Sequence, residues 1–355
     1  MRIKVDTSMM SSRIALLNND LTKRRLDGFI VTDPVNVKYL SGFMGHDSVI
    51  LVTANKNYFF TDSRYVEEAK KGLKAFEVQL VNCSMAKSIA EAAADRKVKR
   101  LGFEAMNIPY AVAERLKSSF QNIELVPTTD VIGNLRAVKD RGEITRIKAS
   151  IKLAKLVMKK VSRMIQPGLT ETSIARAVEM EFINEGAKTA FDTIAASGPN
   201  SSMPHARAGS RKILANDFVM MDMGCVLDNY CSDITRMFTT GRSSNKYKKI
   251  CEIVQDAHDI AIKKIKPGVS IADVDAAARD YIKSKGFGTA FGHSLGHGIG
   301  LEVHEEPTIS GSSAGTLKTG FVFTVEPAIY LPGFGGVRIE DVVLVTDSGC
   351  EVLTR

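Results

Sequence analysis

The sequence lacks tryptophan, has only five cysteines and contains no hydrophobic run long enough to cross a membrane. A transmembrane helix needs about 20 consecutive apolar residues, and the longest apolar runs here are a few residues long. The cysteines are scattered and include no C-x-x-C pair, which excludes a disulfide framework or a cysteine zinc cage. The start, MRIKVDTSMM, leads into polar and charged residues, which predicts no export signal, a cytoplasmic location and no membrane partner.

The composition is that of a globular protein, with 44% hydrophobic and 25% charged residues. The formal net charge of +8 could attract nucleic acid. However, the basic residues are mixed with acids on amphipathic helices and are not interleaved with aromatic residues, so no nucleic-acid partner is predicted.

The length of 355 residues exceeds what one hydrophobic core usually supports, so two domains are expected. Helical and strand-like segments alternate up to about residue 125, which predicts an α/β domain over 1–130. Turn residues cluster near Pro127 to Gly133. A long amphipathic helix over 144–165 then opens a second domain, predicted over 131–355 as α+β.

The second domain contains an internal repeat with an offset of 100 positions (265 minus 165). IQPGLT at 165–170 is echoed by IKPGVS at 265–270. In each copy a helix ends at Pro-Gly, and Thr170 or Ser270 is placed to cap the next helix. The strand NDFVMMDMG, with Asp222, corresponds to TGFVFTVEP, with Glu326. The order of matched features predicts a duplicated domain with an internal pseudo-two-fold axis.

Each copy adds a second acid after a turn, Asp233 in the first and Glu340 in the second. Four carboxylates brought to one centre would repel one another and lose hydration, and a pair of divalent cations would neutralise them. Histidine could complete such a site. Three of the six histidines lie in GHSLGHGIGLEVHEEP and a fourth in SSMPHARAG; in chain order these are His205, His293, His297 and His304.

Each of these signals is weak alone, because an acid at a strand end is usually a surface residue. GHGIG lacks the lysine and spacing of a phosphate loop, and Cys225 and Cys231 have no second cysteine pair to complete a zinc site. His46 and His258 fall outside the pattern and receive no role. The joint order Asp, Asp, His, Glu, Glu carries the prediction.

These motifs resemble the pita-bread metallopeptidases, a family that includes Xaa-Pro aminopeptidase, Xaa-Pro dipeptidase (prolidase), methionine aminopeptidase and the metal-free creatinase. MDMGCVLDNYCSDITR, HSLGHGIGLEVHEEP, TVEPAIY and GGVRIEDVVLV resemble the catalytic domain. TDPVNVKYLSGF and YFFTDSRYVEEA resemble the N-terminal domain of the proline-specific branch. That N-terminal domain and the arginine at 338 disfavour methionine aminopeptidase.

The resemblance implies a dinuclear metal site. Asp222 is expected to bind one ion and His297 with Glu326 the other, while Asp233 and Glu340 bridge the two. Oxygen and imidazole ligands without thiolate favour manganese, with cobalt, zinc or iron as alternatives. Because all five ligands are present, a non-catalytic peptide-binding protein is the remote alternative.

The resemblance also implies a mechanism in which a water or hydroxide between the two ions attacks the carbonyl of an Xaa-Pro bond. Glu326 is expected to carry its proton to the leaving nitrogen. His205 and His304 would bind substrate oxygens, and His293 would border the proline pocket. Arg338 would hold Asp222 and Tyr330 in place, and Tyr330 is expected to be a substrate-binding residue.

The choice between aminopeptidase and dipeptidase rests on one stretch of sequence. A dipeptidase must bind the free carboxylate of a C-terminal proline. EEPTISGSSAGTLK, which follows His304, has no basic residue before Lys318 and starts with two acids. The sequence alone therefore favours an Xaa-Pro aminopeptidase acting on proline-containing peptides, with the dipeptidase as the alternative. The resemblance also predicts a homodimer.

Overall fold

The computed structural model describes residues 7–43, 45 and 47–355, so His46 lies outside the described residues. The chain divides into two compact units, Met1–Arg136 and Ala137–Arg355. The predicted domain boundary at 130/131 falls at the start of a short helix that the structure places over Val131–Ala137. In the part of the chain that is described, every helix is too short or too polar to span a membrane.

The first unit is built around one mixed sheet. Its helices are α1 Thr7–Lys23, α2 Pro34–Ser41, α3 Val66–Gly72, α4 Met85–Asp95, α5 Tyr110–Ser119 and α6 Val131–Ala137. Its strands are β1 Gly28–Val31, β2 Val49–Thr53, β3 Asn57–Thr61, β4 Glu77–Leu80, β5 Arg100–Glu104 and β6 Glu124–Thr128. The sheet order is β4-β3-β2-β1-β5-β6, with β2 antiparallel to both its neighbours and the other pairs parallel. The α/β class predicted for this region is confirmed.

The second unit has four main helices and a set of mostly antiparallel strands. The helices are α7 Arg141–Ser162, α8 Glu171–Asn184, α9 Asn245–Lys264 and α10 Ile271–Ser284, with short 3₁₀ turns at Gly198–Ser202 and Gly288–Ala290. The strands are β7 Lys188–Thr189, β8 Ile194–Ser197, β9 Phe218–Met223, β10 Cys225–Leu227, β11 Tyr230–Cys231, β12 Ile234–Thr239, β13 Gly296–Gly298, β14 Glu305–Ile309, β15 Val322–Val325, β16 Ala328–Leu331, β17 Gly335–Arg338, β18 Asp341–Val345 and β19 Cys350–Val352.

The long helix α7 starts three residues earlier than the periodicity predicts (144 minus 141). The Asp140 side chain accepts from the backbone N–H of Glu143, and the Glu143 carboxylate accepts from the backbone N–H of Asp140. This reciprocal capping box satisfies two backbone donors and sets the start of the helix. The apolar stripe that includes Ile147, Ile151 and Val157 is buried, as its spacing predicts.

The repeat appears as two helix pairs, each associated with an antiparallel sheet. In the first half, α7 and α8 share a core with the sheet β8-β9-β12. In the second, α9 and α10 pack on the sheet β14-β13-β15-β18-β19. The Thr170 hydroxyl caps α8 by accepting from the Ser173 N–H, whereas Ser270 precedes α10 without a side-chain cap bond. The predicted α+β unit with an internal repeat is confirmed.

Candidate metal centre

The five predicted ligands come from both halves of the repeat and lie on one cavity of about 1020 Å³. Asp222 is on β9 and Asp233 immediately precedes β12, beside it in the same antiparallel pair. In the second half, His297 is on β13, Glu326 follows β15 and Glu340 joins β17 to β18. The strand ends that carry the acids therefore converge, as the duplicated pattern predicts.

Three of these side chains are close enough to share one cation. Ligand atoms of Asp233, His297 and Glu340 all lie within 4.8 Å of one another. His297 Nε2 is 3.3 Å from Glu326 Oε1 and 3.7 Å from Asp233 Oδ2. Atoms that bind a metal at about 2.0–2.2 Å have separations of this order across the coordination sphere.

The electrostatics of the cluster require a neutralising charge. Burial, reinforced by the neighbouring carboxylates, raises the pKa of Asp233 and of Glu340 well above the usual range. Burial also raises the pKa of Glu326 to about 7. The Oδ1 atoms of Asp222 and Asp233 are buried and accept no hydrogen bond. Buried carboxylate oxygens without donors demand an explanation, and divalent cations fit this oxygen-rich donor set.

His297 has the protonation and orientation that a neutral metal ligand would need. Burial lowers its pKa to about 4, so the imidazole is uncharged near pH 7. Nδ1 lies 3.1 Å from the carbonyl of Gly298, which fixes the proton on that nitrogen. The lone pair of Nε2 then points towards Glu326 and Asp233, the orientation a metal ligand requires.

Arg338 supplies the cation buried among the carboxylates. It is 3% exposed, and its Nη2 donates to Asp222 Oδ2. Nη1 donates to the Tyr330 hydroxyl at 2.6 Å and to the carbonyl of Pro204 at 3.1 Å, while Nε donates to Thr235 Oγ1. The predicted contacts of Arg338 with Asp222 and Tyr330 are both present.

Three further histidines lie beside the cluster of predicted ligands. His205, His293 and His304 line the cavity, and the rings of His297 and His304 have centroids 4.2 Å apart. Burial lowers the pKa of His293 to about 4, and its Nε2 lies 3.2 Å from the Tyr330 hydroxyl. Tyr330, predicted to bind substrate, is 7% exposed and is not among the residues that line the cavity; its hydroxyl contacts His293 and Arg338, which do line it.

Two threonines, which the sequence motifs do not single out, form hydrogen bonds to the carboxylates of predicted ligands. Thr235 Oγ1 donates to Glu340 Oε2 at 2.7 Å. Thr324 Oγ1 accepts from the backbone N–H of His297 and lies 3.1 Å from Glu326 Oε1. Thr235 is two residues after Asp233 and Thr324 two residues before Glu326. That spacing places both on the ligand-bearing face of a strand, and it is the one signal the sequence offers.

Two glycines allow the ligand strands to approach closely. A Cβ on Gly296, next to His297, would lie 1.9 Å from the carbonyl oxygen of Thr324. A Cβ on Gly224 would lie 1.9 Å from the carbonyl oxygen of Ser232, the residue before Asp233. Any side chain at either position would push a ligand strand away from its neighbour.

The cavity wall also carries cations that the sequence argument did not consider. Arg176 of α8 and Arg207, two residues after His205, both line the cavity and are exposed. Glu305, also on this wall, receives a hydrogen bond and ion pair from Lys139 Nζ at 3.2 Å. Both side chains of that pair are nearly inaccessible to solvent, at 0% for Lys139 and 4% for Glu305.

The loop that carries His205 and Arg207 is held by a buried carboxylate on α8. Glu171 is 1% exposed and accepts from the Ser197 N–H at 2.7 Å and the Ser197 hydroxyl at 2.8 Å. It also accepts from the Asn200 amide and the Gly209 N–H. These bonds fasten both ends of the segment 197–209.

Both regions of the chain match described families. Residues 145–347 match Metallopeptidase family M24, and residues 13–138 match the Creatinase/Prolidase N-terminal domain. The chain is 36% identical over 349 residues to the Xaa-Pro dipeptidase of Pyrococcus furiosus, which covers 98% of both sequences.

Solved structures of similar proteins share the whole fold. A structure described as Xaa-Pro dipeptidase from Bacillus anthracis superposes with a TM-score of 0.94 at 36% identity, covering 98% of each chain. A structure described as X-Pro aminopeptidase from Thermotoga maritima gives a TM-score of 0.86 at 38% identity, covering 94% of this chain and 97% of that one. Fold and sequence similarity therefore extend over both units.

Proposed function

Because the chain belongs to metallopeptidase family M24, we propose that it is an Xaa-Pro dipeptidase, which hydrolyses the bond to a C-terminal proline in a dipeptide. The observation that carries the proposal is one shared cavity, which is lined by the five predicted ligands and by three arginines, Arg176, Arg207 and Arg338. Relatives that cover 98% of the chain and bear the name Xaa-Pro dipeptidase support it.

The charges around the cavity favour the dipeptidase over the aminopeptidase that the sequence alone favoured. That preference rested on repulsion of a substrate carboxylate by the acids at 305 and 306. Lys139 balances the Glu305 charge inside the protein. Arg176 and Arg207 lie on the same cavity and belong to the catalytic unit, so a substrate carboxylate finds cations without help from elsewhere.

The proposed metal-binding residues are the five that line the cavity, in the roles that the family resemblance implies. When bound, a pair of divalent cations supplies Lewis-acid polarisation of the scissile carbonyl and activation of water. Asp222, Asp233, His297, Glu326 and Glu340 would hold it. Manganese, a count of two ions, a homodimer and a cytoplasmic location remain predictions from the sequence.

The remaining steps are assigned to side chains. Glu326 takes the proton of the attacking water and passes it to the leaving proline nitrogen. His205 and His304 donate to oxygens of the substrate, and His293 borders the proline ring from a neutral, buried position. Arg338 holds the Asp222 carboxylate in its orientation. Arg207 is the cation we assign to the free carboxylate, because it shares a loop with His205.

An Xaa-Pro aminopeptidase is the second candidate, and it has its own support. Glu306 and Thr308 on the cavity wall are exposed, so the stretch after His304 still offers an anion and no cation there. The similar structure from Thermotoga maritima is described as an aminopeptidase. An enzyme of this kind would accept peptides that continue beyond the proline.

Three substrates separate these functions. Manganese-loaded protein is assayed on Gly-Pro, on Gly-Pro-Ala and on Gly-Pro amide, which lacks the free carboxylate. A dipeptidase cuts Gly-Pro and discriminates against the amide, and Arg207→Gln should raise KM for Gly-Pro by about tenfold, the cost of one charged contact. Asp228→Asn, at an exposed turn outside the cavity, is the matched control. Faster cleavage of the tripeptide favours the aminopeptidase, and no cleavage of any substrate rejects both.

A further inference from the structure

The pair Asp275 and Arg279 on α10 contacts the main chain of the segment 291–295, which carries His293. Arg279 Nε and Nη2 donate to the two carboxylate oxygens of Asp275, both at 2.7 Å. Nη1 also donates to the carbonyl of Phe291 at 2.9 Å, and Nη2 to the carbonyl of His293 at 2.8 Å. One guanidinium therefore joins a helix to two peptide groups of the loop.

The carboxylate completes the attachment. Asp275 is 1% exposed, and its Oδ1 accepts from the backbone N–H of Leu295 at 3.1 Å. The carbonyl of Leu295 in turn accepts from the backbone N–H of Glu326 at 2.8 Å. Three peptide groups of the segment are fixed to one ion pair, and the next peptide group, through the Leu295 carbonyl, bonds to the strand end that carries Glu326.

Ring contacts also link Arg279 to the imidazole of His293, through the ring of Phe291. The Arg279 guanidinium carbon lies 4.3 Å from the centroid of the Phe291 ring. The Phe291 ring meets His293 edge to face, with centroids 5.0 Å apart. Displacement of the guanidinium would release both the backbone and the ring that supports His293.

We propose that Asp275 and Arg279 are positioning residues that set the place of His293 on the cavity wall and thereby the affinity for the substrate. An ordinary i,i+4 helix ion pair would need only a charge at 279. The observed contacts need a planar donor that reaches a carboxylate and two carbonyls together, which arginine provides and lysine does not. The substrate readout rests on the proposed function, but the position of the loop does not.

The test compares Arg279→Lys with wild type in the manganese-loaded full-length protein. Lysine keeps the charge beside Asp275 and loses the two carbonyl bonds. The expected result is a melting temperature within about 3 °C of wild type, a KM for Gly-Pro raised about tenfold with kcat changed less than threefold, and unchanged manganese content. Hydrogen exchange at the Leu295 amide should be about tenfold faster, because the loop opens more often. Arg24→Lys, in the i,i+4 pair with Asp20 on α1, is the matched control and should change none of these.

Wild-type KM together with wild-type exchange at Leu295 in Arg279→Lys would overturn the proposal and leave the pair as a helix ion pair. Faster exchange with an unchanged KM would also overturn it, because the loop would then move without consequence for the substrate. If wild-type protein cleaves none of the substrates, the proposed function fails. In that case binding of Gly-Pro, measured by calorimetry in both proteins, decides whether the Asp275–Arg279 pair, here called the clamp, positions His293 for the substrate. Binding weakened about tenfold supports the clamp, whereas equal binding, or none to wild type, overturns it.

Discussion

Replacing Arg338 by methionine should strongly destabilise the metal-free protein, because it removes the cation buried among the carboxylates. The Arg338 and Asp222 side chains are only 4% and 11% exposed, and Arg338 also bonds to Tyr330 and Thr235. Removing one member of a buried ion pair leaves the other without compensation, which typically costs about 3–5 kcal/mol. For a unit of 219 residues (355 minus 136) this corresponds to a fall in melting temperature of about 10 °C.

A double-mutant cycle isolates the ionic part of this cost. In the Asp222→Asn background Arg338 no longer forms an ion pair with residue 222. Arg338→Met should therefore lower the free energy of unfolding by about 2 kcal/mol less than it does in wild type. The lost bonds to Tyr330, Thr235 and Pro204 occur in both backgrounds and cancel.

The assay is urea denaturation of the EDTA-treated proteins, followed by circular dichroism. Arg24→Met, which breaks a partly exposed pair with Asp20, serves as the control and should cost less than about 1 kcal/mol. Additivity of Arg338→Met and Asp222→Asn within about 0.5 kcal/mol would refute the reasoning, because it would mean that the two side chains do not interact.

Three further predictions concern the site. Asp233→Asn should lower manganese content and hydrolysis together, since its buried Oδ1 has no donor to replace a cation; full metal content by elemental analysis would contradict this. Because the pKa of His293 is about 4 in the folded protein and about 6.5 in the unfolded chain, the unfolded chain binds the proton first as pH falls, and stability is lost. Between pH 7 and pH 5 the free energy of unfolding, measured by urea titration, should therefore fall by about 2 kcal/mol more in wild type than in His293→Asn. Equal falls in the two proteins would reject the buried neutral histidine. Lys139→Met should raise KM for Gly-Pro more than for Gly-Pro-Ala, because Glu305 on the cavity wall loses its balancing charge; equal changes for both substrates would count against charge as the cause.

The candidate metal ligands could be predicted from the sequence because their chemistry and their order are both visible in it. Asp222 and Glu326 end comparable strands in the two halves of the repeat, and Asp233 and Glu340 each follow after one turn. The repeat therefore predicts the position of each acid relative to the strands of its half. The helix start at Arg141 was missed because a capping box at Asp140 and Glu143 adds a turn ahead of the apolar stripe.

The charge balance of the cavity could not be read from any local stretch. The segment from Glu305 to Lys318 suggests an acidic wall, but Glu305 forms an ion pair with Lys139, which lies 166 positions earlier in the chain. Arg176 lies on the exposed face of α8, and the apolar pattern of that helix predicts only which residues are buried. Thr235 and Thr324 were missed for a related reason: hydroxyls near strand ends are common, and only their partners distinguish these two.

The division of the ligands between the two halves also bears on how the protein is made. The first half supplies two acids, and the imidazole and the remaining two acids arrive only with residues 297, 326 and 340. A chain interrupted anywhere before residue 340 therefore lacks a predicted bridging carboxylate, however well its earlier part has folded. During synthesis, the full set of predicted ligands is therefore present only after Glu340 has been added to the chain.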